Sequence, residues 1–398
     1  MVRTAERQRS TLVRAAVADR PAREWSGAAA ELLASSPPGR AGGWDPVAVV
    51  GGPGTGKTSL LVDLAVRRLS APDVPPESVL VLTGSRRAAR AVRAEVSERL
   101  TVAGHGSAAT IREPLVRTVH SYAFAVLRLH AAANDNPPPR LITGAEQDTV
   151  IRELLRGEID DGAEYWPAAL RPALGMVGFA RELRDLFLRA GERGIGPEAL
   201  VRLGRIHRRP EWVAAGRFGA QYEQVMLLRS AVGMEAPQAS APAVDAAGLI
   251  SGALDAFAAD AGLLAAERAR IGHLLVDDAQ HLDPQAAALV RTLGVGEVVV
   301  AGDPDQAIFG FRGADPRFLA DIPRARTVLL ETTRRCTHAV TAAVAVISSH
   351  LPGTAPQRGP AASSGAKPGD VRVRLLRSEA QEAAFAADVL RRAHLLDG

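Results

Sequence analysis

Three stretches, far apart in the chain, carry residue types that could together handle a triphosphate. The first is Gly51-Gly52-Pro53-Gly54-Thr55-Gly56-Lys57-Thr58-Ser59, which follows the apolar run 47–50 and fills the pattern G-x-x-x-x-G-K-[ST]. Glycines let a backbone wrap phosphates with its N–H groups pointing inward, and a following helix N-terminus adds positive partial charge there. Lys57 is expected to reach the β- and γ-phosphates of ATP, and the Thr58 hydroxyl to hold Mg²⁺. The dinucleotide pattern G-x-G-x-x-G does not fit: started at Gly52 it puts Lys57 at the third glycine, and started at Gly54 it puts Ser59 there.

The second stretch reads Ile-Gly-His-Leu-Leu-Val-Asp-Asp-Ala-Gln over 271–280. An apolar strand ending in two acids supplies what a phosphate loop lacks. Asp277, at the strand tip, is expected to hold the metal through water, and Asp278 to polarise the attacking water. The third, 298–314, is another apolar strand ending at Gly302-Asp303. Gln306 follows within reach of the γ-phosphate or its attacking water. Phe309 and Phe311 then flank Gly310 beside Arg312, in a chain only 4% aromatic. Exposed ring faces stack nucleic-acid bases at ~1–3 kcal/mol each. One ring is expected in the core, with Phe311 the exposed one.

Composition narrows the classes. Among 48 Lys+Arg, only Lys57 and Lys367 are lysines. A lysine kept inside the loop marks a place where the broad guanidinium fork does not fit. Net charge is +4, and the arginine excess leans towards an anionic partner. A single cysteine, Cys336, excludes an internal disulfide framework and a cysteine-rich metal centre. Residues 11–23 are interrupted by Arg14, Asp19 and Arg20, so no signal-peptide core is expected, and no uncharged apolar run reaches 18 residues. A cytoplasmic location without a membrane partner is the expectation.

The elements that must position these residues alternate. Apolar runs at 47–50, 79–82, 116–119, 271–276, 298–300 and 328–330 mostly lack polar alternation, as strands buried on both faces do. Leu60, Leu61, Leu64, Ala65 and Leu69 form a helical stripe. So do Ala88, Ala89, Val92, Val96 and Leu100, behind a candidate cap at Ser85. The fold class is α/β: a P-loop NTPase with a doubly wound parallel sheet, an inserted helical subdomain and an incomplete second motor domain. Residues 1–46 are read as a helical extension, with helices near 6–18 and 22–33. Residues 47–130 with 244–335 form the ATP-binding domain. Residues 131–243 are the insertion, with helices near 146–155, 176–190, 197–203 and 217–228. Residues 336–398 hold a linker, a strand at Val371, Val373 and Leu375, and a helix from Glu379 to about Leu396. A strand and a helix cannot bury a core alone, so the rest of that domain is expected to be missing or supplied in trans.

Four stretches, in order, resemble the motor of UvrD/Rep-type DNA helicases of superfamily one. They are the phosphate loop, Val81–Ala89, Thr118-Val119-His120-Ser121-Tyr122-Ala123-Phe124 and the most specific of them, 302–314. The alanine- and arginine-rich style and the Asp-Asp-Ala-Gln variant resemble a subunit (AdnA-like) of the actinobacterial helicase–nuclease that resects DNA ends. The resemblance implies ATP, Mg²⁺, single-stranded DNA or DNA ends, and a protein partner supplying a second motor or nuclease. It implies DNA contacts by Thr83, His120 and Phe124, stacking by Phe311, and coupling of the γ-phosphate to the DNA face by Gln280 and Gln306. Arg335, in Leu330-Glu331-Thr332-Thr333-Arg334-Arg335-Cys336, becomes an arginine finger. Arg86, Arg87, Arg90 and Arg93 are read either as phosphate contacts or as an ordinary solvated face.

The departures bear on turnover. The family pattern L-x-x-N-Y-R-S has lost its Asn, Tyr and Ser to Thr333, Arg334 and Cys336, and the upstream adenine glutamine is not evident, Gln8 being a poor candidate. The usual second-motif glutamate is Asp278, one methylene or about 1.5 Å shorter. Slow hydrolysis is expected from this. The alternative is a nucleotide-gated DNA-binding or scaffold subunit whose partner supplies the motor.

Overall fold

The computed structural model describes residues 23–36, 43–102, 115–232, 243–323, 326–353 and 355–397. The helix expected near 6–18, and Gln8, lie outside them. The chain divides into two compact units: Met1–Gly51 with Gly56–Leu330, and Gly52–Thr55 with Glu331–Gly398. The strands in chain order are β1 (Val47–Gly51), β2 (Val79–Thr83), β3 (Val116–Thr118), β4 (Arg140–Leu141), β5 (Ala243–Val244), β6 (His273–Val276), β7 (Glu297–Gly302), β8 (Thr327–Leu330), β9 (Thr332–Thr333) and β10 (Ala361–Ala362).

The first unit is built on a six-stranded sheet of order β3-β2-β6-β7-β1-β8. Every neighbouring pair in it is parallel. Alternate residues of its strands feed two cores. Ala48, Val50, Leu80, Leu82, Leu274, Val276, Val298 and Val300 pack on one face, against helices Val119–Ala133, Ala246–Ala259 and Pro284–Leu293. Val49, Val79, Val81, Leu275, Val299, Ala301 and Val328 pack on the other, against Gly27–Ala34, Lys57–Leu69 and Arg86–Val102. Both faces being covered is why the runs are continuously apolar.

The run at 116–119 ends earlier than its apolar character suggests. Thr118 turns its hydroxyl to accept the Ser121 N–H at 3.1 Å, so Val119 is the first residue of a helix. Ser85 caps the helix Arg86–Val102 as expected, accepting the Ala88 N–H at 3.1 Å. A buried network stitches the helix after the phosphate loop to the sheet. Arg68 donates to Glu297 through Nε at 2.9 Å and Nη2 at 2.6 Å, and His273 Nδ1 lies 2.7 Å from the same carboxylate.

Helices Gly144–Asp160, Val177–Glu192, Pro197–Ile206 and Pro210–Val232 surround a core of their own around the buried Trp166 and Phe218. They cover the segments read as helical in the insertion, except that Met176 stands before the second as its extended N-cap. Thr143 and Glu146 close a reciprocal capping box at the first of them. Among the described residues no single helix is long and apolar enough to cross a membrane.

In the second unit β9 and β10 pair in parallel, and Thr337 caps helix His338–Ser349. The strand expected at Val371, Val373 and Leu375 is absent. Residues 370–376 are irregular, with Val373 77% and Leu375 96% exposed. Alternation marks a strand only where a neighbour takes up its backbone hydrogen bonds, and none does so among the described residues. Helix Glu379–Asp397 does form.

Candidate nucleotide and nucleic-acid site

β1 ends at Gly51, and helix Lys57–Leu69 starts behind Gly56 at φ +100°, a left-handed conformation open to glycine. Lys57 Nζ donates to the Gly51 carbonyl at 2.7 Å. Thr58 Oγ1 donates to Asp277 Oδ2 at 2.8 Å, joining positions 219 residues apart. Ser59, directly after the motif, is held through its carbonyl, which accepts from Arg23 at 3.1 Å.

Asp277 is buried where β6 ends, its backbone N–H continuing the sheet by donating to Leu82 O at 2.8 Å. Burial and the adjacent Asp278 push its carboxyl well above the usual range, against the Thr58 hydroxyl and Lys57. Its Oδ1 is buried without a hydrogen-bond partner. A hydroxyl and a carboxylate side by side, with one carboxylate oxygen unsatisfied, fit the oxygen-ligand chemistry of Mg²⁺. Asp278 follows in the left-handed region, φ 54° and ψ 41°, a conformation aspartate tolerates better than most residues.

Gln280 lies at the centre of the site. It is buried and donates to Asp278 Oδ1 at 3.3 Å, while its Oε1 accepts the Asp303 N–H at 3.1 Å. Gly302 must be glycine here, because a Cβ would stand 2.5 Å from Gln280 Oε1. Gln306, half-buried, donates to Asp303 Oδ2 at 2.7 Å. Burial raises the Asp303 carboxyl, with Gln306 and Lys57 opposing. His281 continues the chain of contacts: Gln280 Nε2 is 3.3 Å from its Nε2, and its ring meets Phe309 edge-on at 4.7 Å. Phe311 is 71% exposed, as expected, but Phe309 is not in the core: it is half-buried, because it packs at the end of the sheet against His281.

The other expected nucleic-acid residues differ in accessibility. His120 is exposed on the first turn of its helix; the packing around it holds its pKa below the ordinary value, Asp283 opposing. Phe124 is half-buried against the sheet. Thr83 is 1% exposed and turns its hydroxyl to the Ser85 carbonyl at 3.2 Å, so its side chain is not open to a ligand in this conformation. Arg86, Arg87 and Arg90 are exposed, whereas Arg93 is also bound to the Val116 carbonyl at 2.7 Å.

In the second unit, loop residues Gly52–Thr55 pack with the Thr333–Cys336 segment. Thr55 Oγ1 donates to Gly52 O at 2.9 Å, the Arg334 N–H donates to Gly54 O at 3.0 Å, and Cys336 Sγ lies 3.8 Å from Pro53 O. Gly54, at φ +72°, has no room for a side chain: a Cβ would meet Thr333 Oγ1 at 2.6 Å and Arg335 Cβ at 2.9 Å.

Three contributors carry no motif in the sequence: Arg23, Trp25 and His281. Arg23 bonds Ser59 O and Asp63, and Trp25 donates its indole N–H to Asp63 at 2.8 Å while its ring edge covers Gly56. The aromatic at position 25 was the available signal. For His281, its place directly after Gln280 was the clue.

The chain is 27% identical over 311 residues to DNA helicase II of Salmonella typhimurium, covering 76% of this chain and 38% of that protein. It is 26% identical over 309 residues to DNA helicase II of Escherichia coli, covering 76% and 38%. It is 26% identical over 312 residues to the ATP-dependent DNA helicase PcrA of Leuconostoc citreum, covering 77% and 37%. The chain therefore spans well under half the length of these curated relatives. Residues 42–325 match the UvrD/REP helicase N-terminal domain, and the chain belongs to that family.

Proposed function

We propose that this chain is the ATP-binding first motor domain, with its helical insertion at 131–243 and the start of a second motor domain from 336, of a 3′-to-5′ DNA translocase of UvrD type acting in DNA repair or recombination. The observation that carries the reading is the 2.8 Å Thr58–Asp277 hydrogen bond, which brings the loop and the acidic strand end together. Lys57 swings from the Gly51 carbonyl to the β- and γ-phosphates, and the backbone from Gly51 to Ser59 cradles the rest. Thr58 and Asp277 hold Mg²⁺, which when bound neutralises phosphate charge. Asp278 orients the attacking water, Gln306 the γ-phosphate, and Arg335 steadies the charge that develops on it. Gln280 and His281 relay the state of that site to Phe309 and Phe311. Single-stranded DNA stacks on Phe311 and runs past His120, Phe124 and Arg86; Thr83, whose hydroxyl is engaged, could touch it only after a change of conformation.

A second reading, a nucleotide-gated DNA-binding subunit whose partner supplies turnover, draws on Asp278, whose short carboxylate is already engaged by Gln280. Both readings require nucleotide and DNA binding, measured by calorimetry with MgATP and by anisotropy of a labelled oligo-dT. Lys57→Ala should abolish the first and spare the second, while Phe311→Ala should weaken the second about 5-fold or more. A chain that binds neither ligand contradicts both.

A further inference from the structure

The inserted helices meet the aromatic turn at Glu192. Glu192 ends helix Val177–Glu192, and its side chain lies directly on Gly313. A Cβ on Gly313 would stand 2.6 Å from Glu192 Oε2 and 3.3 Å from Glu192 Cβ. Gly313 also sits at φ +84°, so the turn calls for glycine, and a side chain there would have to push the Glu192 carboxylate aside. Two residues after Glu192, Gly194 approaches the Gln285 amide so closely that it too has no room for a side chain.

Glu192 Oε2 is buried without a hydrogen bond, with Arg189 Nη1 2.6 Å away. The charged groups facing it are Arg189 and Arg193 from its own helix end, Asp283 from the cap of helix Pro284–Leu293, and Arg312 from the aromatic turn. Burial pushes its carboxyl up to about 7, against Arg189 and with Asp283 adding to the rise. Arg312 in turn stacks on both rings, its guanidinium carbon 5.5 Å from the Phe309 centroid and 5.3 Å from that of Phe311.

The turn Gly310–Arg312 is a single tight turn, and Phe311 projects from it largely into solvent. Its own packing therefore does little to fix the direction of the ring. What fixes it is Phe309 on one side, seated against His281, and Glu192 on the other, seated on Gly313.

We propose that Glu192 is a positioning residue for single-stranded DNA. Seated on Gly313 beside Arg312, it holds the turn that presents Phe311, so the inserted helices set how the ring meets a base. This rests on the DNA-binding reading above and adds to it a control point outside the motifs.

The test is a double-mutant cycle on the full chain, reading the Kd for labelled oligo-dT at fixed ionic strength, the KM for MgATP and the Tm. Glu192→Ala is expected to raise the DNA Kd about 5-fold, a share of what one stacked base contributes. Its KM for MgATP stays unchanged. Glu192→Gln, of the same shape, should restore the affinity to within about 2-fold, since shape rather than charge seats it on Gly313. In a Phe311→Ala background, Glu192→Ala should have no further effect. If the Ala variant fails to fold, Glu192→Asp, one methylene shorter, should show part of the loss. Additive penalties in the cycle, or unchanged affinity in a folded Glu192→Ala or Glu192→Asp chain, overturn the proposal. A wild-type chain that does not bind oligo-dT overturns the DNA reading first and this inference with it; binding by the wild type with additive penalties overturns this inference alone.

Discussion

Asp278→Glu should make this chain a faster ATPase at a cost in stability. Asp278 sits at φ 54° with its carboxylate held 3.3 Å from Gln280 Nε2, one residue past the Asp277 that pairs with Thr58. Glutamate carries the carboxylate about 1.5 Å further from the backbone, which in the proposed site brings it nearer the attacking water. A misplacement of about 1 Å in such a group costs on the order of 10²-fold in rate, so the variant should gain about 10- to 100-fold in kcat. The left-handed backbone opposes the change, because aspartate adopts it more readily than glutamate; the variant should lose about 1 kcal/mol of stability. Phosphate release at saturating MgATP and oligo-dT reads the first effect, and thermal unfolding the second. A folded variant with unchanged kcat refutes the reasoning, as does an Asp278→Ala chain that turns over as fast as the wild type.

The buried Arg68–Glu297–His273 network predicts a large stability loss without a change of site chemistry. Glu297→Ala leaves Arg68 uncompensated inside the protein and should destabilise by about 3–5 kcal/mol in urea unfolding; a loss under about 1 kcal/mol would show that the pair contributes no more than a surface one. Glu192 predicts a pH dependence. Its carboxyl is raised from 4.5 to about 7, so the folded state holds a proton that the unfolded state has released between those values. The stability this gives is full below the lower value and is lost as pH rises through about 7. Glu192→Gln should therefore match the wild type near pH 4.5 and exceed it by about 1–2 kcal/mol at pH 8, solvent screening of the partly buried carboxylate reducing the gap. A constant difference across that range would rule out burial as the cause.

Most of the first unit was legible because its residues obey local rules. Strands covered on both faces leave continuous apolar runs, helices leave stripes, and a phosphate loop leaves a spacing that few other structures need. The sheet order was not legible: placing β1 between β7 and β8, and β6 between β2 and β7, depends on packing across long separations. Two local patterns misled. Val119 looked like the end of a strand, but the Thr118 side chain turns the backbone into a helix there. Val371, Val373 and Leu375 alternate as a strand does, yet no neighbouring strand among the described residues receives them. In the site, the order of exposure of Phe309 and Phe311 followed from the need for one anchor and one free face. Thr83 was harder, because only the fold shows that its hydroxyl turns back onto Ser85. Glu192, His281 and Trp25 lie outside every motif; their roles arise from tertiary contacts with glycines and rings that no single stretch encodes.

The central claim is that the loop beginning at Gly51 and the acids at Asp277 and Asp278 form one site that turns over ATP in response to DNA. Steady-state phosphate release by the wild-type chain and by Lys57→Ala, with and without oligo-dT, tests it most directly. The account predicts a slow wild-type rate that oligo-dT stimulates several-fold, and no detectable rate in Lys57→Ala under either condition. Phosphate release equal in the two chains, or a wild-type chain that binds both ligands with no stimulation by DNA, would contradict an autonomous motor.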